Sequence, residues 1–414
     1  MKKNLPVKVD YFPKPFEKFW LLNTDVSPIF RPHSPCLPQR RHVYKPNNKV
    51  AGNRPVEIGY DLSTVGLSGR SPKYGLSAPA WNPPLSMRLV PYGVNKNSFT
   101  AQQVNDILGN ADLPFKEELT VNALDSSYCS PEYVVDTYAQ SNLVNIIRMP
   151  SNRNVWKQLS EQQIAQRREA NADNRGANSV YGQLYKLKEV ADWQMQPAIQ
   201  TEFGIKLSNG KNALVSMEIW ENMMVRTQRG KSMKDKPFRL VRIRLLDPQT
   251  NQPFFKKCMW LAVWGERRME LTAEEIYWAY RNRYDIEHFF RFGKQRLLLD
   301  KYQTPVEENL QNWMEVVNLS YWLLLVGKEE AKHTCRKWQQ YDKNHKNRAQ
   351  YEMDVTPSQV QNQMADIILG FEQDPFLPKL QIKGKGRQLG QTQPKRKQFS
   401  VLKKKRTRKK KKKK

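Results

Sequence analysis

The sequence predicts an α/β fold built on a mixed sheet. Three observations carry that prediction. Apolar runs of strand length alternate with helical spacing in the order β-β-β-α-β-α-β over residues 19–149, turn-separated strands fill residues 151–268, and a well-capped periodic helix follows at residue 273. In open α/β sheets the carboxyl ends of neighbouring strands face one crevice, so those ends are the first place to look for chemistry.

Residues 19–24 (FWLLNT) read as a buried strand that stops at Asp25, with Pro28 barring its continuation as a central strand. Residues 31–55 form a basic, Pro-rich loop carrying His33 and His42. Residues 55–67 and 85–91 are two further strands. Residues 98–109 have helical spacing at Val104, Ile107 and Leu108, with Thr100 and Gln103 as a capping box. Residues 119–124 (LTVNAL) make a fourth strand that ends at Asp125. Ser130, Pro131 and Glu132 supply an N-cap, an N1 proline and an acidic first turn for a second helix, and residues 142–149 make the fifth strand.

Residues 160–174 read as a polar helix with Ser160 and Gln163 as its capping box. Residues 181–187, 213–224, 238–246 and 254–263 read as strands, and Arg242 and Arg244 alternate with Val241, Ile243 and Leu245, so one face is basic. In the following helix, which runs from residue 273 towards 299, Thr272 and Glu275 form a capping box. At about 100° per residue, Tyr280, Arg283, Glu287 and Lys294 fall within an arc of about 60°. Ala279, Ile286, Phe290 and Leu297 border that stripe on the buried side, so it lies at the edge of a core and is suited to gripping an anion. Residues 304–307 open another helix, and the aromatic residues from Trp313 to Trp322 read as its core face.

With 69 Lys and Arg against 40 Asp and Glu, the 414-residue chain carries a formal charge of +29, which points to a polyanionic partner. Residues 379–414 hold 18 of the basic residues and no acid, leaving +11 on the rest; this low-complexity run is expected to be a disordered basic tail. The four cysteines lie far apart, with neither CxxC pairs nor histidines at metal-ligand spacing, which argues against a zinc site or a disulfide framework. Neither a signal peptide nor a membrane span is evident, and the expectation is a reducing, cytoplasmic, soluble protein.

Tyr-x2-Arg-x3-Glu-x6-Lys, here YRNRYDIEHFFRFGK, resembles the signature of the insertion-sequence-four group of bacterial transposases. LLNTDVSP, VYKPNNKVAGNRPVEIGYDLSTV, LTVNALDSSY and RMPSNRNVW resemble the same group, and the likeness covers about residues 18–305. It implies a ribonuclease-H-like mixed sheet with helices, interrupted by a β-rich insertion before the helix that bears the catalytic glutamate. The corresponding domains are an irregular segment at 1–17, the first part of the catalytic domain at 18–150, the insertion at 151–268, the C-terminal catalytic helices at 269–375 and the tail at 379–414.

The resemblance further implies cut-and-paste DNA transposition by an Asp-Asp-Glu triad, Asp25, Asp125 and Glu287, holding two Mg²⁺ ions for which Mn²⁺ substitutes. Tyr280, Arg283 and Lys294 would bind DNA phosphate. A tryptophan of the insertion would stack on a flipped base, with Trp193, Trp220, Trp260 and Trp264 as candidates. The partners that the resemblance implies are terminal inverted repeats, target DNA and a second copy of the chain, in a bacterial nucleoid.

Taken singly, an Asp after a strand is usually a turn or cap residue, and Glu287 among alternating charges would be a solvated helix face. The joint pattern, weighted by the resemblance, selects Asp25, Asp125 and Glu287 over Asp61, inside a strand, and Asp285, off the stripe. His33 and His42 read equally as phosphate contacts or surface residues, and His288 as structural. The group usually carries a helical region before its first catalytic Asp, whereas 24 residues precede Asp25 here. The expectation is a truncated copy, a misassigned start or half of a split gene. Two other readings stay open: a ribonuclease-H-fold nuclease or resolvase, and an inactive DNA-binding remnant.

Overall fold

The computed structural model describes residues 12–33, 39–44, 56–70, 80–170, 181–207, 210–226, 230–332 and 355–370. The basic tail, and parts of the N-terminal segment and the Pro-rich loop, lie outside the described residues.

The strands are β1 (Trp20–Phe30), β2 (Arg41–Tyr44), β3 (Val56–Leu67), β4 (Pro84–Leu89), β5 (Thr120–Leu124), β6 (Leu143–Met149), β7 (Asn154–Gln158), β8 (Tyr181–Lys186), β9 (Ile199–Lys206), β10 (Asn212–Met224), β11 (Phe238–Leu246) and β12 (Met259–Trp264). They form one mixed sheet in the order β2-β3-β1-β5-β6-β12-β11-β10-β7-β8, with β4 on β3 and β9 on β10. β1, β5 and β6 run parallel to one another. This is an α/β architecture compatible with a ribonuclease-H-like fold. The β-rich stretch after residue 150 does not build a separate sheet: β12 pairs antiparallel with β6, Trp260 opposite Met149, and prolongs the first one.

β5 reads LTVNAL because it is central: every residue of Thr120–Leu124 is buried, on both faces. Leu21, Val121 and Ala123 meet Ile276, Tyr277 and Ala279 of α4 (Ala273–Asn282) on one face. Trp20 and Leu22 meet Val104, Ile107 and Leu108 of α1 (Lys96–Leu108) on the other, and Leu124 and Ile147 meet Tyr133 and Val134 of α2 (Pro131–Thr137). α5 (Asp285–Gln295), α6 (Glu307–Val326) and α7 (Pro357–Gly370) pack Phe289, Met314 and Val360 against Leu62 and Met87 of the β3–β4 end. The polar helix α3 (Glu161–Ala170) follows β7, and Ser160 and Gln163 make its expected capping hydrogen bonds.

Several local expectations are corrected. β1 does not stop at Asp25 but runs to Phe30, paired with β3 throughout, Pro28 opposite Asp61. Pro28 is tolerated because β5 ends at Leu124, opposite Thr24, so the edge to which the missing N–H points carries no strand. β2 is a strand inside the presumed loop, and β7 and β9 are strands that the pattern did not isolate. α1 is capped by Asn95, which accepts from the N–H groups of Asn97 and Ser98. Gln103 instead donates to Ser86 Oγ at 2.8 Å, holding α1 to β4. Ser130 precedes α2 without a side-chain cap; its Oγ accepts from Asn97 Nδ2.

The helix expected over 273–299 is two helices, α4 and α5, joined through Arg283 and Tyr284. Both joining residues keep right-handed helical torsions, but the N–H groups of Arg283, Tyr284 and Ile286 reach back three residues rather than four. The Thr272–Glu275 capping box is present. Gly265 ends β12 at φ 138°, where a Cβ would meet the Leu143 carbonyl oxygen at 2.4 Å, so glycine alone fits.

Candidate active site

Thr24 and Leu124 are the last registered pair of the parallel strands β1 and β5, so Asp25 and Asp125 follow as neighbours. Side-chain alternation puts both on the face of Leu21, Val121 and Ala123, under α4. Asp25 accepts from the Val26 N–H at 2.8 Å. Asp125 accepts from the Ser127 N–H at 2.8 Å and the Ser127 hydroxyl at 2.7 Å, capping a short 3₁₀ turn.

The opposite face locks the strand register with a buried polar chain. Thr24 Oγ1 donates to Asn122 Oδ1 at 2.9 Å, Asn122 Nδ2 donates to the Tyr133 hydroxyl at 2.8 Å, and that hydroxyl donates to Asn145 Oδ1 at 3.3 Å. Asn145 Nδ2 ends the chain on Thr137 Oγ1 at 3.1 Å. It therefore ties β1, β5, β6 and α2 together one residue behind Asp25.

The join between α4 and α5 brings the signature residues over the acids. Arg283 stands 3.8 Å from Asp25 Oδ2 and bonds Glu287 Oε1 at 3.0 Å. Its guanidinium lies 6.0 Å from the Tyr280 ring centroid. Lys294, in the last turn of α5, donates to Ser27 Oγ at 2.8 Å and to the Pro28 carbonyl at 3.1 Å, fastening the helix to β1. Burial is the main cause that lifts the Asp25 carboxyl to about 6, followed by the charge of Asp125, with Glu287 adding a little; the Val26 N–H and Arg283 oppose it. Burial raises Tyr280 and lowers Lys294. Among the described residues, no three His, Cys, Asp or Glu side chains stand close enough together to hold one metal ion. Asp25 and Asp125 share a field, while Glu287 is held by Arg283.

Beside Tyr280 and Arg283 opens a cleft of about 850 Å³, into which Arg148, Arg281, Arg291 and Arg296 also project. Asp285 is the acid of its lining, and it is paired with Arg70 at 2.7 Å. This arginine wall is not evident in the sequence. Arg291 was within reach, four residues past Glu287 and so on the same helix stripe; Arg148, on β6, meets the cleft only through the fold. Asp61 is engaged by Arg41 at 3.2 Å. His33 and His42 are exposed, and His288 stands edge-on to Tyr284. Of the four candidate tryptophans, Trp220, Trp260 and Trp264 are buried in the core, while Trp193 lies partly buried across Trp220 and Trp260.

Residues 79–323 match the transposase DDE domain, more than half of the chain. The chain belongs to that family. Within this DDE-domain protein, Asp125 and Glu287 fall inside the matched residues and Asp25 precedes them. A search of curated proteins finds no match. Among the described residues, no helix is long and apolar enough to cross a membrane.

Proposed function

We propose that this DDE-domain chain is a transposase of the Tyr-Arg-Glu-Lys group that cuts DNA at terminal inverted repeats and joins the freed ends to a target, working as a homodimer. The adjacency of Asp25 and Asp125, fixed by the Thr24–Leu124 register, carries the reading. Two half-buried carboxylates side by side, one raised to about 6, are a poor arrangement without a cation and a fitting one with it. Hard oxygen donors of this kind suit Mg²⁺, with Mn²⁺ as substitute, and DNA phosphate oxygens would complete the set.

Asp25 and Asp125 are the core ligands in this reading, and Glu287 is the third once its bond to Arg283 loosens. Bound divalent cations supply the charge that activates the attacking hydroxyl and stabilises the leaving oxygen of the phosphodiester. Arg283, released towards the incoming phosphate, neutralises its charge, and Tyr280 donates to the backbone beside it. Lys294 keeps α5 seated on β1, so that Glu287 stays over Asp25. The arginine wall gives the DNA strand its path away from the acids. Trp193 is the candidate platform for a base leaving the stack.

The test is Mg²⁺-dependent cleavage and strand transfer on DNA bearing the inverted repeats, with Asp125→Ala beside the parent. The parent should cut and the variant should not. Cleavage that survives in Asp125→Ala would remove the mechanism, and a parent that binds DNA without cutting it would favour an inactive remnant.

A further inference from the structure

The join between α4 and α5 is gripped by four residues other than the three proposed acids, two of which, Arg70 and Asp285, also line the cleft. Arg70 meets Asp285 with two bonds, Nη2 to Oδ1 at 2.7 Å and Nε to Oδ2 at 3.1 Å, and Asp285 is fully buried. The Arg70 carbonyl accepts from Asn282 Nδ2 at 2.8 Å. The Asn282 carbonyl in turn accepts from Asn23 Nδ2 at 2.9 Å. These anchors have telling positions: Asn23 sits two residues before Asp25 on the same strand face, Asn282 directly before Arg283, and Asp285 two residues before Glu287.

A helix that switches to three-residue hydrogen bonding at its centre leaves carbonyls short of their usual partners. Here one of those carbonyls, on Asn282, is satisfied by a side chain from the strand that carries Asp25. Asn23 is wholly buried and its Oδ1 has no hydrogen-bond partner, so an amide is kept in the sheet core at a cost to stability while only its donor is used. An apolar residue would pack better there. A polar group held under such conditions is explained by what its one bond does.

We infer that Asn23, Arg70, Asn282 and Asp285 form a clamp that positions Arg283 and Glu287 over Asp25, a role that rests on the metal-dependent cleavage proposed above. The clamp sets the helix join on the strand end, so the separation of the third acid from the first is fixed from β1 and from the segment after β3 rather than by contacts at the site itself. These are positioning residues, because none touches the reacting groups.

The experiment compares the full chain with Asn23→Ala, which removes one bond and one orphaned acceptor, and with Asp285→Asn, which keeps the shape and removes the charge. Mn²⁺ affinity is read by electron paramagnetic resonance on the metal-free proteins. Cleavage is titrated with Mg²⁺, DNA affinity is measured without metal, and thermal melts check folding. The expected result for Asn23→Ala is near-parental melting and unchanged DNA affinity, and for both variants a loss of about 10- to 100-fold in Mn²⁺ affinity with a matching rise in the Mg²⁺ needed for cleavage. Folded variants with parental metal responses would overturn the clamp alone. Unfolding of both variants would make the four residues simple structural supports. A parent that neither binds Mn²⁺ nor cuts DNA would overturn the proposed function and the clamp with it.

Discussion

Arg283 and Asp25 form a long ion pair, 3.8 Å from guanidinium to carboxylate, while the same guanidinium bonds Glu287 at 3.0 Å. One cation thus serves two of the three proposed acids and lowers the Asp25 carboxyl against the effect of burial. Arg283→Ala should move the acid limb of the pH–rate profile for cleavage to higher pH and slow cleavage on the order of 10²-fold at neutral pH. A profile unchanged in position would mean that Arg283 does not act on Asp25.

Stability should depend on pH through Asp25. Its carboxyl lies at about 6 in the folded chain against an ordinary 3.8, so between those values the folded state holds more protons than the unfolded one. The protonated group favours the fold at the acid end, and that contribution is lost as pH rises through the window. Relative to the parent, Asp25→Asn should melt higher at pH 7.5 than at pH 5, and Mg²⁺ should raise the parent's melting temperature more at pH 7.5 than at pH 5. Equal differences at both pH values would contradict the raised value.

Lys294 bonds Ser27 and the Pro28 carbonyl while burial lowers its pKa. Lys294→Met keeps the length of the stem and removes the charge-assisted bonds, at a cost of about 1.5–3 kcal/mol in unfolding experiments. Cleavage should fall further than stability implies, because α5 loses its fastening to the strand of Asp25. Parental cleavage in a destabilised variant would separate the two roles.

The polar chain behind the acids should be unforgiving. Tyr133→Phe leaves Asn122 Nδ2 and Asn145 Oδ1 without their partner in a dry interior, a loss of about 1–3 kcal/mol by chemical denaturation. A neutral result would show that water replaces the hydroxyl.

The tryptophans divide by burial. Trp260→Ala should cost about 3–5 kcal/mol and Trp193→Ala much less, read from paired denaturation curves. Only the Trp193 variant would then be fit to report a stacking role, by reduced cleavage with an intact fold.

Several features were legible in the residues themselves. The central strand β5 carries no charged residue because both of its faces are covered, and the Thr272–Glu275 capping box announces α4 because its bonds are local. The spacing of Tyr280, Arg283 and Glu287 survives the break between α4 and α5, since the joining residues keep helical torsions. Other features were hidden because they depend on partners far along the chain. Pro28 reads as a strand breaker until β5 is seen to end beside Thr24. Asp285 reads only as an acid off the signature stripe until Arg70 is seen to pair with it in the interior. Nothing near Met149 announces that Trp260 will pair with it and carry the sheet onward.

The sequence by itself determined the element types, the strand-end acids, the helical stripe and the positive charge, all of which follow from short-range periodicity, capping and composition. Tertiary structure decided which edges pair, that Arg283 lies near both Asp25 and Glu287, and that a wall of arginines faces one cleft. The physical reason is that hydrogen-bonded registers and buried ion pairs join residues more than two hundred positions apart, as Arg70 and Asp285 do, and no local pattern records such a partner.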